Sequence, residues 1–104
     1  MVDTNYITSI VKILEDPISK SLTETVITTE FRGQLPQIRN NRIVHLIFWG
    51  NLARDIPNYY QVNDYIMIEG YLSLRHKNKK NKTFIKQNKK QVQITVFKAY
   101  FIKN

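Results

Sequence analysis

Residues 42–49, Arg-Ile-Val-His-Leu-Ile-Phe-Trp, alternate with a period of two. Val44, Leu46 and Phe48 fall on one side of an extended chain, and Ile43, His45, Ile47 and Trp49 on the other. Both sides are largely apolar. One therefore covers a core, and the other is an interface or a binding platform. Residues 5–14 mix Ile and Val with Tyr and Thr and predict a first strand, ended by Glu15-Asp16-Pro17. Residues 25–31 are β-branched and predict a second. Residues 32–41, with Gly33, Pro36 and Asn40-Asn41, read as a loop.

Gly50 breaks the alternation. Residues 51–60 read as a short helix capped by Asn51 or Asp55. Pro57 removes a donor, so it fits best at the start of a last short turn capped by Asp55. Val62-Asn63-Asp64 reads as a turn, and residues 65–75 as a long strand bent or bulged at Gly70. Residues 76–90 form a lysine–asparagine loop. Residues 91–102 read as the last strand, whose hydrophobic phase changes near Val96-Phe97 and implies a second bulge or two buried faces. The class is all-β with one short helix. Three strands, a helix, a strand, a loop and a strand suit a five-stranded antiparallel barrel, one guess among several by pattern alone.

At 104 residues a single domain spanning 1–104 is expected. With no cysteine, disulfides and thiolate sites are excluded. No apolar run approaches the ~18 residues of a membrane span, and the first residues lack a secretory pattern, so the protein is expected to work where it is made. Ile, Lys, Asn and Tyr, all with AT-rich codons, are abundant, which suggests an AT-rich genome such as that of a plastid.

Charge sharpens the picture. Glu69 is the last acid, and beyond it stand nine lysines and Arg75. Such a field attracts phosphate backbones, so the expected partner is a polyanion, nucleic acid first. Binding single strands without sequence preference needs a cationic groove and aromatic faces. Trp49 is the leading stacking candidate, against packing in a core or interface. Phe84, flanked by Lys82 and Lys86, is equally a base platform or a loop anchor. Arg75, Lys77, Lys79, Lys80 and Lys82 are phosphate-contact candidates, against a merely solvated loop. Arg42 and His45 are weaker ones. Phe31, Phe48, Phe97 and Phe101 read as core. His45 and His76 make no recognisable metal pair, and no nucleophile elbow, phosphate loop or carboxylate pair appears. No enzyme, metal, cofactor or small-molecule substrate is expected.

The residues also resemble the bacterial and organellar single-stranded DNA-binding protein (SSB) family. Asn5 precedes Asp16-Pro17 at the family's spacing. Phe48-Trp49-Gly50-Asn51-Leu52-Ala53 matches the end of its third strand, Tyr59-Tyr60 an aromatic at its helix end, and Ile66-Met67-Ile68-Glu69-Gly70-Tyr71-Leu72 its next strand. Val11, Leu14, Ile43, Lys77 and Pro57 depart from the pattern, and the family's acidic-tipped tail is not seen. The resemblance implies an OB-fold, the five-stranded Greek-key barrel, and non-enzymatic binding of single-stranded DNA in replication, repair or recombination. It also implies a homo-oligomer, dimer or tetramer, with Tyr6, Met67 and Tyr71 at a subunit contact and no membrane partner. A short, tail-less plastid reading frame suits length and codon bias, with the bacterial cytoplasm the other setting. Two other readings stay open: an RNA-binding or primosome-accessory OB module, and a degenerate OB domain serving as a structural subunit.

Overall fold

A computed structural model of the chain describes residues 5–36, 42–76 and 90–102, with the side chains of Arg75, His76, Lys90 and Phe101 outside that description. The elements run β1 (Tyr6–Ile13), β2 (Ile18–Ser21), β3 (Ile27–Leu35), β4 (Arg42–Trp49), α1 (Gly50–Tyr59), β5 (Tyr65–His76) and β6 (Lys90–Phe101). β1, β5, β6, β4 and β3 close into a ring, with the short β2 added outside β3. Four ring contacts are antiparallel; β4 and β6 run parallel, with His45–Phe48 beside Gln93–Val96. This corrects the all-antiparallel expectation, and the reason is arithmetic. Strands that alternate up and down cannot close a ring of odd number, so one seam must be parallel.

The alternation of β4 falls as its sequence requires. Val44, Leu46 and Phe48 are fully buried in the barrel, where Phe48 stacks on Phe31 with centroids 5.3 Å apart. Val11, Ile13, Ile66, Ile68, Ile94 and Val96 complete the core from the other strands. Burying each such side chain contributes roughly 1.5–3 kcal/mol, so this cluster is the main source of stability.

The expected loop at 32–41 begins later, because β3 continues through Gly33 to Leu35. There β1 crosses from β5 to β3, pairing Ile13 with Gly33. A Cβ on Gly33 would lie 2.4 Å from Val11 Cγ1 and 3.0 Å from Leu46 Cδ1. Glycine is present for close approach, not for a turn.

The bulge expected at Gly70 and the phase change expected at Val96-Phe97 are two sides of one irregularity. Glu69 pairs with Lys98 but Gly70 with Val96, leaving Phe97 as the extra residue. Gly70 has no room for a Cβ, which would meet the Thr95 carbonyl oxygen at 2.4 Å. Phe97 is thrown outward and 41% exposed, which corrects its reading as core. Phe31 and Phe48 are core as read, and the Phe101 side chain lies outside the description.

α1 covers the barrel with Ala53 and Ile56. Neither Asn51 nor Asp55 caps it: Trp49 is the N-cap, with no side-chain cap bond. The entry is made instead by Gly50 at φ +67°, a left-handed geometry that glycine adopts without penalty. Pro57 lies inside the helix rather than starting a new turn. The turn at 62–64 is as read, with Asn63 at φ 79°, a region in which asparagine is enriched.

Candidate nucleic-acid interface

Directly opposed residues in an antiparallel pair project to the same side. The outer side of β3–β4 can thus be read off the register. Thr28 lies opposite Trp49, Glu30 opposite Ile47, Arg32 opposite His45, and Gln34 opposite Ile43. β2 extends the same rows, with Lys20 opposite Thr28 and Ile18 opposite Glu30. The face is neither sealed nor wholly polar. Trp49 is 47% exposed and Ile43 48%, while Ile47 is buried. Trp49 is the last residue of β4 and immediately precedes the left-handed Gly50.

Two acids on this side have polar side-chain partners. Glu15 accepts 2.8 Å hydrogen bonds from the backbone N–H and the Nε–H of Arg32. Glu30 Oε1 lies 2.7 Å from His45 Nε2. Lys20 and Arg42 are exposed and make no ion pair among the described residues. The face thus joins apolar and aromatic surface to Lys20 at one end, and Arg42 is exposed at the other end of β4, on its opposite side.

Trp49 and Arg42 end the strand on opposite sides, about 23 Å apart at roughly 3.3 Å per residue. The parallel seam sets Gln93 beside His45. β6 therefore starts at Lys90, level with Arg42. Trp49 lies at the far end of β4 from Lys90. A strand spanning both would follow the length of β4, consistent with the roughly 4–16 nucleotides that one barrel of this kind occupies.

Of the residues singled out from sequence, Trp49 and His45 share this face, whereas Arg42, in register with Leu35, falls on the other side of β4 and is exposed at the strand's end. His45 is largely enclosed, with its side chain 15% exposed against Glu30. Arg75 sits in β5 opposite Gln91, in the paired stem that leads to the basic segment. Lys77, Lys79, Lys80, Lys82 and Phe84 lie outside the described residues. Sequence reasoning missed Lys20, Glu30 and Arg32. β2 carries no strand signature, and no local signal tells which residues of β2 and β3 lie across from Trp49 and His45. No group of three or more metal-ligating side chains occurs among the described residues, and no helix among them is long and apolar enough to cross a membrane.

A second exposed face lies on the outer side of β1, β5 and β6. Tyr6, Tyr71 and Phe97 pack on one another with centroids 5.1–6.1 Å apart. Ile10 and Met67, opposed in register, and Tyr100 continue it. Glu69 sits within it, accepting from Tyr6 Oη at 2.5 Å and Tyr100 Oη at 2.9 Å. These bonds, that from Tyr6 first, hold its carboxyl below the usual carboxylate range and raise both phenols.

No protein-family model matches the chain. It is 43% identical over 77 residues to the "Putative single-stranded DNA-binding protein ycf41" of Trieres chinensis, across 70% of this chain and 68% of that protein. The SSB domain of a Synechococcus sp. protein superposes with a TM-score of 0.74 at 18% identity, covering 97% of this chain and 99% of that one. The second single-stranded DNA-binding protein (SSBb) of Mycobacterium smegmatis gives a TM-score of 0.69 at 18% identity, covering 92% and 86%. The barrel with its one helix is the architecture of these domains.

Proposed function

The chain belongs to the single-stranded DNA-binding protein family, and from that we propose that it binds single-stranded DNA with little sequence preference, as a coat rather than a catalyst. The observation that carries this reading is the half-exposed Trp49 on the outer side of β4. It lies in one row with Lys20 and at the head of a face that leads past Ile47 and His45 to Ile43, with Arg42 exposed at the far end of the strand. A base stacked on the indole would contribute roughly 1–3 kcal/mol, and the cations would follow the phosphates. Arg75, Lys77, Lys79, Lys80 and Lys82 extend the cationic path in this reading, with Phe84 as a second platform. Residues 1–104 act as one Greek-key OB unit with the basic loop 76–90 as its arm, in DNA replication, repair or recombination. The likeness to ycf41 and the abundance of residues with AT-rich codons support a plastid setting.

Trp49 is the single tryptophan, so its fluorescence reports binding directly. Titration with oligo-dT at low salt should quench it, duplex DNA should not, and the affinity should fall steeply as salt rises. A matched RNA strand separates DNA from RNA preference. No quenching and no complex at low salt would overturn the reading.

Homo-oligomerisation is its second part. The exposed aromatic face of Tyr6, Tyr71, Phe97 and Tyr100 supports it, since monomers rarely expose a contiguous apolar patch of this kind. Sedimentation of the full chain should give a dimer or tetramer, and Phe97→Ser should lower its mass.

A further inference from the structure

Glu30 is out of place on the face described above. A carboxylate repels phosphates, yet this one lies on the outer side of β3, inside the rows that lead from Trp49 to Ile43. Its side chain is 36% exposed, so incoming groups can reach it. It faces Ile47 across β4 and Ile18 across β2. Trp49 has Thr28 as its direct partner, so Glu30 stands two residues on, at the diagonal position. Diagonal neighbours lie about 7–8 Å apart, within the reach of long side chains and aromatic rings. The His45 imidazole, 2.7 Å away and largely enclosed, anchors one oxygen. A carboxylate so held does not swing away when a strand arrives.

We propose that Glu30, oriented by His45, reads the edge of the base stacked on Trp49 and favours bases bearing an exocyclic amine. An ionised carboxylate only accepts hydrogen bonds. The N4 amine of cytosine and the N6 amine of adenine are donors; the O4 carbonyl of thymine or uracil is an acceptor. A cytosine on Trp49 would gain a charge-assisted hydrogen bond to Glu30. A thymine there would set a carbonyl oxygen against a negative charge. The inference rests on the β3–β4 face being the nucleic-acid track. It adds a modest compositional bias to binding that is otherwise indifferent to sequence.

The experiment measures the affinity of the full chain for oligo-dC, oligo-dT and oligo-dU of equal length, at fixed pH and salt. The wild type should bind oligo-dC about tenfold more tightly than oligo-dT or oligo-dU. Glu30→Gln should bring the ratio near one, because an amide donates as readily as it accepts. His45→Asn should shrink the preference by loosening the carboxylate. If Glu30→Gln tightens binding to all three strands equally and leaves their ratio unchanged, Glu30 is only a repulsive charge and the inference fails. If oligo-dU binds as tightly as oligo-dC while oligo-dT stays weaker, the thymine methyl rather than the exocyclic amine discriminates, and the inference fails again. Binding of none of the three would instead overturn the proposed function.

Discussion

The Thr29 hydroxyl donates a 2.6 Å hydrogen bond to the carbonyl of Ala53, four residues before Pro57. That carbonyl is the one whose helical partner would be the N–H of residue 57, and proline has none. Thr29 is fully buried, as is Ala53. β3 therefore supplies the donor that the helix lacks, and α1 continues through its proline. Thr29→Val keeps the shape but leaves the carbonyl buried and unsatisfied, and should cost about 1–3 kcal/mol. Thr29→Ser restores the donor and should recover most of it. Denaturant midpoints of the two variants make the comparison, and equal losses would show that the hydroxyl is not what matters.

Gly50 carries the turn from β4 into α1 at φ +67°, with open space where a Cβ would stand. Its requirement is conformational rather than steric. Gly50→Ala should destabilise the fold by roughly 1–2 kcal/mol. Since Trp49 is the residue before it, the variant should also shift the tryptophan emission maximum. A stability loss with an unmoved spectrum would mean that Gly50 does not set the indole.

Much of this was legible in the sequence, and the pattern of success has a physical basis. β4 was readable because its alternation is dictated by the barrel interior at every second residue. The bulge was readable from both strands because a glycine and a break in phase report the same missing register. β2 was not, since Ile18, Ser19, Lys20 and Ser21 are all exposed and only the edge of β3 makes them a strand. Gly33 read as a loop residue because glycine signals flexibility and close approach with the same letter. Trp49 and Arg42 could be singled out from chemistry alone. Lys20 and Glu30 could not, because their place beside Trp49 depends on cross-strand register.

The salt dependence isolates the basic segment. Each phosphate neutralised on a single strand adds about 0.7 to the slope of log K against log salt. If Lys79, Lys80 and Lys82 each contact one phosphate, replacing all three with Ala should reduce that slope by about 2, with Trp49 quenching at saturation preserved. An unchanged slope would clear those lysines of a phosphate role, leaving Lys20, Arg42 and Arg75 as the cations to test.

Glu69 yields a prediction in pH. Hydrogen bonds from Tyr6 and then Tyr100, with Lys98 beside it, stabilise its charged form and depress its pKa. A carboxyl with a depressed folded pKa stabilises the fold above its unfolded value, near 4.3. That contribution fades as pH falls through the lowered folded value. Tyr6→Phe removes the largest cause and leaves Tyr100 in place, so the Glu69 titration should move up toward the ordinary range without reaching it. Side-chain carboxyl NMR shifts measure this directly. The relation is reciprocal, because the same bonds raise both phenols. Glu69→Gln should therefore lower the ionisation of Tyr6 and Tyr100 toward 10, visible as tyrosinate absorbance appearing earlier in an alkaline titration. A Glu69 titration identical in wild type and Tyr6→Phe would show that the carboxylate is not held by that phenol.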